Sequence, residues 1–268
     1  MKIFIDSADI DEIEKAYSYG VLDGVTTNPS LIKKASQKHK VKDMNSYIKK
    51  ILKVARGTPV SLEVIGSTYD SMVKEGKKLY KMFNPVAKNV YIKVPVNPVF
   101  GDKINHFDGL KAIQAFSKAK IPVNCTLIFT PEQALLAAKA GAAFVSPFAG
   151  RIDDYIRKDN GRNFNKTDYF PEDGIESRKG LLNDNGIVSG VDLIAQIVEI
   201  FDNYQLNTEV LAASIRNSRQ ARESALAGAN IATLPLSVIE ELLIHPKTIE
   251  GMAKFTEDIV PEYAKLLK

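Results

Sequence analysis

Short apolar runs alternate with longer amphipathic ones along the whole chain. The short runs fall at residues 3–6, 24–28, 60–64, 90–95, 121–127, 143–147, 209–214 and 231–235. Most carry β-branched residues, which pack well on a pleated surface and predict strands. The intervening stretches place apolar residues on one helical face: Ile10, Ile13 and Tyr17; Val191, Ile194, Ile197, Val198 and Phe201; Ile249, Met252, Phe255, Ile259 and Tyr263. The junctions agree. Asn28-Pro29 and Thr130-Pro131 each read as an N-cap followed by proline at the first helical position. Gly141 and Gly228 stand where helices must end before the sixth and eighth strands.

Strict alternation of strand and helix implies a parallel sheet with right-handed crossovers, an α/β class. Eight such units predict a closed (β/α)8 TIM barrel, a single domain over residues 1–268, rather than an open doubly wound sheet. No GxGxxG or Walker-type loop follows any strand, which weighs against the nucleotide-binding open sheets. Residues 152–190 break the rhythm, being rich in Asp, Asn, Gly, Arg and Lys. They are expected to form a long insertion loop after the sixth strand, with a short helix in it. It is either a tolerated surface insertion or a lid over the barrel mouth. A C-terminal helix closes the chain.

Composition adds bounds. Apolar residues make up 45% and charged ones 25%, enough for a packed core. Lys plus Arg is 36 against 32 Asp plus Glu, and this mild, scattered excess of +4 gives no reason to expect nucleic acid. The lone Cys125 excludes an internal disulfide framework. His39, His106 and His245 are far apart in sequence, so a His/Cys zinc site is not expected. Asp6 and Asp9 interrupt the N-terminal apolar run, and no run of 18 apolar residues exists, so neither a secretion signal nor a membrane span is expected. The expected location is cytoplasmic.

In a parallel barrel both strand faces are covered, so polar residues near the C-terminal strand ends carry information: barrel active sites lie at that rim. The first strand offers Asp6, the second Thr26 and Asn28, and the third Ser61 and Glu63. The fourth offers Lys93, the fifth Asn124 and Thr126, the sixth Ser146, and the seventh Ser214 and Arg216. Within each pair the two share parity, so both can face inward. The residues between them, Leu62, Val64, Ile92, Val94, Val123, Cys125 and Leu127, are apolar and suit the helix-facing side. A lysine inside a barrel is costly unless paired or neutralised. A neutral, desolvated amine is a nucleophile for carbonyls, as Schiff-base chemistry requires. A Lys93–Glu63 structural ion pair is the competing interpretation.

Thr26-Thr27-Asn28-Pro29-Ser30-Leu31 resembles the TTNPSL signature of the transaldolase family. Lys93 in Ile92-Lys93-Val94-Pro95-Val96 is similar to that family's Schiff-base lysine. Asn124 to Phe129, Ser146 to Ile152 and Ala213 to Asn217 also resemble family motifs, in the family's order, and Asp6 and Glu63 match as well. The length and the tail from His245 resemble the small subfamily that also holds fructose-6-phosphate aldolases.

The resemblance implies roles. Lys93 would form an imine with a ketose phosphate. Asp6 would move the proton of the C4 hydroxyl. Glu63 and Thr126 would hold the water that shuttles protons. Thr26 belongs with this substrate-binding set. Asn28, Asn124 and Ser146 would bind substrate hydroxyls and the dihydroxyacetone fragment, and Arg151, Ser214 and Arg216 the phosphate. Bland alternatives stand beside these: Asn28 as an N-cap, Ser214 as filler, Arg216 paired with Glu223 or Glu209. In the aldolase branch the third-strand acid is Gln and the aromatic of the sixth-strand motif is Tyr; here they are Glu63 and Phe148. The implied activity is therefore transfer of a dihydroxyacetone unit from a ketose phosphate such as sedoheptulose 7-phosphate to glyceraldehyde 3-phosphate, with no metal or organic cofactor. An aldolase releasing free dihydroxyacetone and a non-catalytic sugar-phosphate binding barrel are the alternatives. The subfamily implies a homo-oligomer, pentamer or decamer, with the C-terminal helix reaching a neighbour.

Overall fold

The computed structural model describes residues 1–101, 106–178 and 180–267. Lys179 and Lys268, which fall in the expected loop and tail, lie outside the described residues. The barrel strands are β1 (Lys2–Asp6), β2 (Gly24–Thr26), β3 (Val60–Glu63), β4 (Val90–Pro95), β5 (Val123–Ile128) and β6 (Phe144–Pro147). After a two-stranded antiparallel hairpin, β7 (Glu176–Ser177) with β8 (Gly180–Leu181), come β9 (Glu209–Ala212) and β10 (Ile231–Leu234). The eight longer strands close a parallel barrel in the order β1-β10-β9-β6-β5-β4-β3-β2. All eight expected strands form, with ends displaced by a residue or two.

Helices α1 (Ile10–Ser18), α2 (Pro29–Lys38), α3 (Met44–Val54), α4 (Tyr69–Ala87), α5 (Asp108–Lys118) and α6 (Pro131–Lys139) cover the first five strands. The expected caps form. Asn28 accepts from the Leu31 amide and Thr130 from the Gln133 amide, each with proline at the helix start. Gly141 and Gly228 have φ of +94° and +88°, the left-handed conformation that lets the chain leave a helix.

The parity of the strands sorts the barrel interior into layers. Phe4, Phe144, Leu211, Ala213 and Ile231 form a core of their own inside the barrel, with Tyr91 stacked on Phe144 at 4.7 Å. A Cβ at Gly24 would lie 2.6 Å from the Phe4 ring, so glycine is what lets that ring lie across the barrel floor. Phe4 is fully buried, and its truncation to Ala would cost about 3–5 kcal/mol. Two residues further along each strand, the same parity delivers Asp6, Thr26, Lys93, Ser146 and Thr233 above this apolar floor.

The stretch expected as one loop over 152–190 divides. Residues up to 159 belong to α7 (Ala149–Asp159), and only from there to α8 (Gly190–Asn203) does the chain leave helix, forming the hairpin on the way. Arg157 on α7 anchors this insertion: its guanidinium donates to the Asp168 and Tyr169 carbonyls at 3.0 and 2.7 Å and lies over the Phe164 and Phe170 rings. After α9 (Ser218–Leu226) and α10 (Leu236–Glu241), the expected single C-terminal helix is two, α11 (Pro246–Glu257) and α12 (Pro261–Leu266). Pro261 causes the break, since proline lacks an N–H and pushes Val260 out of the helical region. The face bearing Ile249, Met252, Phe255, Ile259 and Tyr263 is exposed. Among the described residues no helix is long and apolar enough to cross a membrane.

Candidate active site

A small cavity of about 80 Å³ opens at the C-terminal rim, lined by Asp6, Thr26, Asn28, Lys93, Ser146, Phe148, Arg151 and Ser214, with Leu211, Ala213 and Thr233. Six strands or the turns after them meet there, which is why the residues come from the whole length of the chain. Eight of the twelve site residues expected from the sequence line it.

Lys93 is 5% exposed. Its Nζ lies 3.3 Å from Glu63 Oε2 and donates to the Thr27 carbonyl at 3.2 Å. Glu63, Lys93 and Asn124 are register partners across β3, β4 and β5. Burial pushes the Glu63 carboxyl above its ordinary range, opposed first by Lys93. Burial likewise raises the Asp6 carboxyl, opposed by Lys93, by the Thr26 hydrogen bond and by Arg151. Thr26 donates to Asp6 Oδ1 at 2.7 Å. Two carboxyls raised by burial thus lie near one amine in low-dielectric surroundings, a combination that clusters at functional sites.

Glu63 borders a second, mainly apolar cleft of about 400 Å³ that shares Asn28 with the first. Thr126 is buried, and its hydroxyl has no hydrogen-bond partner among the described residues. Asn124 is fully buried below the cavity. Its amide donates to Ser61 at 3.0 Å and accepts from Ser146 at 2.6 Å. It therefore braces Ser146 rather than lining the cavity itself. Asn28 caps α2 and also lines the cavity.

Phe148 and Arg151 follow β6. The Arg151 guanidinium lies over the Phe148 ring at 4.8 Å, and Phe148 packs against Phe129 at 5.8 Å. Ser214, just past β9, has φ +61°, a strained conformation for a non-glycine residue that recurs at functional sites.

Arg216 departs from expectation. Its guanidinium donates to both carboxylate oxygens of Asp154 on α7, at 2.8 and 2.6 Å, and to the Lys166 carbonyl of the insertion at 2.9 Å. It does not line the cavity. Neither acid considered from the sequence is its partner: Glu223 is held by Arg219 and Tyr169, and Glu209 by Lys2. The insertion contributes no residue to the cavity lining either. Sequence reasoning missed Thr233, 3% exposed and 2.5 Å from Thr26 Oγ1. A polar residue in the apolar run Ile231–Leu234 was the available signal.

Asp9, Asp11 and His39 also cluster. Lys38 and His39 already satisfy Asp9, at 2.6 and 2.8 Å, and Asp9 caps α1. Ion pairing and capping account for that group.

Residues 3–266 match the transaldolase/fructose-6-phosphate aldolase family. A "Probable transaldolase" of Leptospira biflexa is 42% identical over 258 residues, 96% of this chain and 97% of that protein. One of Thermoplasma acidophilum is 41% identical, covering 96% and 95%, and one of Aquifex aeolicus is 39% identical, covering 96% of each. The chain belongs to the transaldolase/fructose-6-phosphate aldolase family.

Proposed function

We propose that this member of the family is a transaldolase. It moves a dihydroxyacetone unit from a ketose phosphate such as sedoheptulose 7-phosphate to glyceraldehyde 3-phosphate, within pentose phosphate metabolism in the cytoplasm. The observation that carries the reading is the buried Lys93 amine, 3.3 Å from the Glu63 carboxylate, in a cavity that also holds Asp6.

The Lys93 amine attacks the ketose C2 carbonyl. Loss of water then gives a protonated imine, an electron sink for the neighbouring carbon. Glu63 and the Thr126 hydroxyl hold the water that carries protons in this step and in the later hydrolysis. Asp6 takes the C4 hydroxyl proton as the C3–C4 bond breaks and the first aldehyde leaves. The dihydroxyacetone carbanion, stabilised by the imine, attacks the acceptor aldehyde, and Asp6 returns the proton to the new hydroxyl. Thr26 orients Asp6, and Asn28 and Ser146, the latter braced by Asn124, bind the fragment's hydroxyls. Arg151 and Ser214 receive the phosphate. Phe148 puts a ring rather than a hydroxyl beside the fragment, which keeps proton donors away from the carbanion.

The same reading includes self-association through the exposed apolar face of α11 and α12, where Phe255 is 71% exposed. Exposed apolar residues aligned on one face in this way mark interaction surfaces.

Borohydride reduction in the presence of fructose 6-phosphate tests the chemistry. A reduced dihydroxyacetone remnant on Lys93, found by mass spectrometry and absent in Lys93→Arg, is expected. Labelling elsewhere would sink the mechanism. Coupled assays of transfer and of free dihydroxyacetone release, run side by side, separate transaldolase from aldolase.

A further inference from the structure

Asp6 is the end of a chain of two hydroxyls. Thr26 Oγ1 donates to Asp6 Oδ1 at 2.7 Å, and Thr233 Oγ1 lies 2.5 Å from Thr26 Oγ1. Thr26 and Thr233 are 2% and 3% exposed, so neither hydroxyl is satisfied by bulk solvent. A threonine hydroxyl has one proton to give. When Asp6 is ionised, the Thr26 proton is committed to the carboxylate. The short contact to Thr233 is then a hydrogen bond only if Thr233 is the donor.

We infer that Thr233, on β10, is a positioning residue for Asp6: by donating to Thr26 it fixes the direction of the Thr26 proton and stabilises the Asp6 carboxylate. This rests on the acid–base role given to Asp6 above. Chains of hydrogen bonds polarise one another, so the outer hydroxyl strengthens the inner bond. The other groups facing Asp6 are charged: Lys93 on β4 and Arg151 on α7 favour its ionised form, and Glu63 on β3 opposes it. None of them is altered by a change at Thr233.

The test compares Thr233→Val, Thr233→Ser and Asp6→Asn. Thr233→Val keeps the branched shape and removes the donor. It should move the acid limb of the kcat/KM–pH profile upward by about half a unit to one unit, because a less stabilised carboxylate protonates earlier. On that acid limb it should lower kcat/KM about 3- to 10-fold. Thr233→Ser should restore both. Borohydride trapping of dihydroxyacetone at Lys93 should proceed at the wild-type rate in Thr233→Val and Thr233→Ser, since forming that imine breaks no C3–C4 bond. A Thr233→Val profile that superposes on wild type, or a uniform loss at all pH values with trapping slowed equally, overturns the inference. So does a Thr233→Ser variant that behaves like Thr233→Val. If instead Asp6→Asn retains full turnover, the acid–base role itself fails, and the two failures are told apart.

Discussion

Lys93 Nζ and the nearer Glu63 carboxylate oxygen lie 3.3 Å apart on adjacent strands, both largely withdrawn from water. A buried pair of this kind is weak evidence for stability, because desolvation offsets most of the attraction. Its presence beside the cavity fits chemistry that needs an amine and a proton acceptor side by side.

Glu63→Gln separates these roles. Gln keeps the shape and the hydrogen-bonding capacity but cannot accept a proton. Rapid-quench borohydride trapping should show imine formation slowed about 10²- to 10⁴-fold, the usual contribution of a general acid–base group. An unchanged trapping rate would reduce Glu63 to a counterion.

In the proposed mechanism Phe148 governs the fate of the carbanion. Its ring is fixed between Phe129 and the Arg151 guanidinium, at 5.8 and 4.8 Å, so a hydroxyl added to it would have a defined position. Phe148→Tyr should raise dihydroxyacetone release relative to transfer, by placing a proton donor in the cavity. If wild type already releases dihydroxyacetone as fast as it transfers the unit, the enzyme is an aldolase and Phe148 is not the determinant.

The barrel and most of the rim were legible because both follow from period-two parity: Asp6, Thr26, Lys93 and Ser146 could be placed inward from strand spacing alone. What was not legible depends on contacts between elements distant in sequence. Nothing local to Arg216 reveals that Asp154, on a different helix, takes its guanidinium. Nothing local to Asn124 shows that Ser61 and Ser146 occupy its amide. The tail is different: Val260-Pro261 marks the helix break in the sequence itself, but the apolar periodicity running across it suggested one helix.

Asp153, one residue before the Arg216 partner, predicts a stability effect. It is 4% exposed and accepts from the Gly190 amide at 2.7 Å and from Gln220 at 2.8 Å, tying α7 to α8 and α9. Burial raises its pKa from 3.8 to about 7, opposed by the Gly190 amide, Arg157 and Arg216. The folded state therefore binds more protons than the unfolded state between these values, so this group's contribution to stability falls as pH rises from about 4 to about 7. Thermal melts across that range should show a smaller decline with pH in Asp153→Asn than in wild type. Parallel curves would mean that Asp153 stays ionised throughout.

The proposed phosphate contact distinguishes two arginines. Two arginines stand near the mouth, but only Arg151 lines the cavity, and Arg216 is bound to both oxygens of Asp154. A guanidinium already engaged by a carboxylate has little net charge to offer an incoming phosphate, whereas one lying over an aromatic ring keeps its donors free. Loss of one charged hydrogen-bonded contact costs on the order of 2–3 kcal/mol, or about 30- to 150-fold in kcat/KM. Arg151→Ala should impose that loss on phosphorylated ketoses and leave the turnover of unphosphorylated ones almost unchanged. Arg216→Ala should behave differently. It strands Asp154 without its partner and frees α7, the helix that carries Arg151, from the β9 end of the barrel. Both substrate classes should then suffer by similar factors, and the melting temperature should fall. Kinetics on fructose 6-phosphate and fructose for the two variants decide the matter. A loss confined to the phosphorylated substrate in Arg216→Ala would mean that phosphate displaces Asp154 and that Arg216 is itself a phosphate ligand.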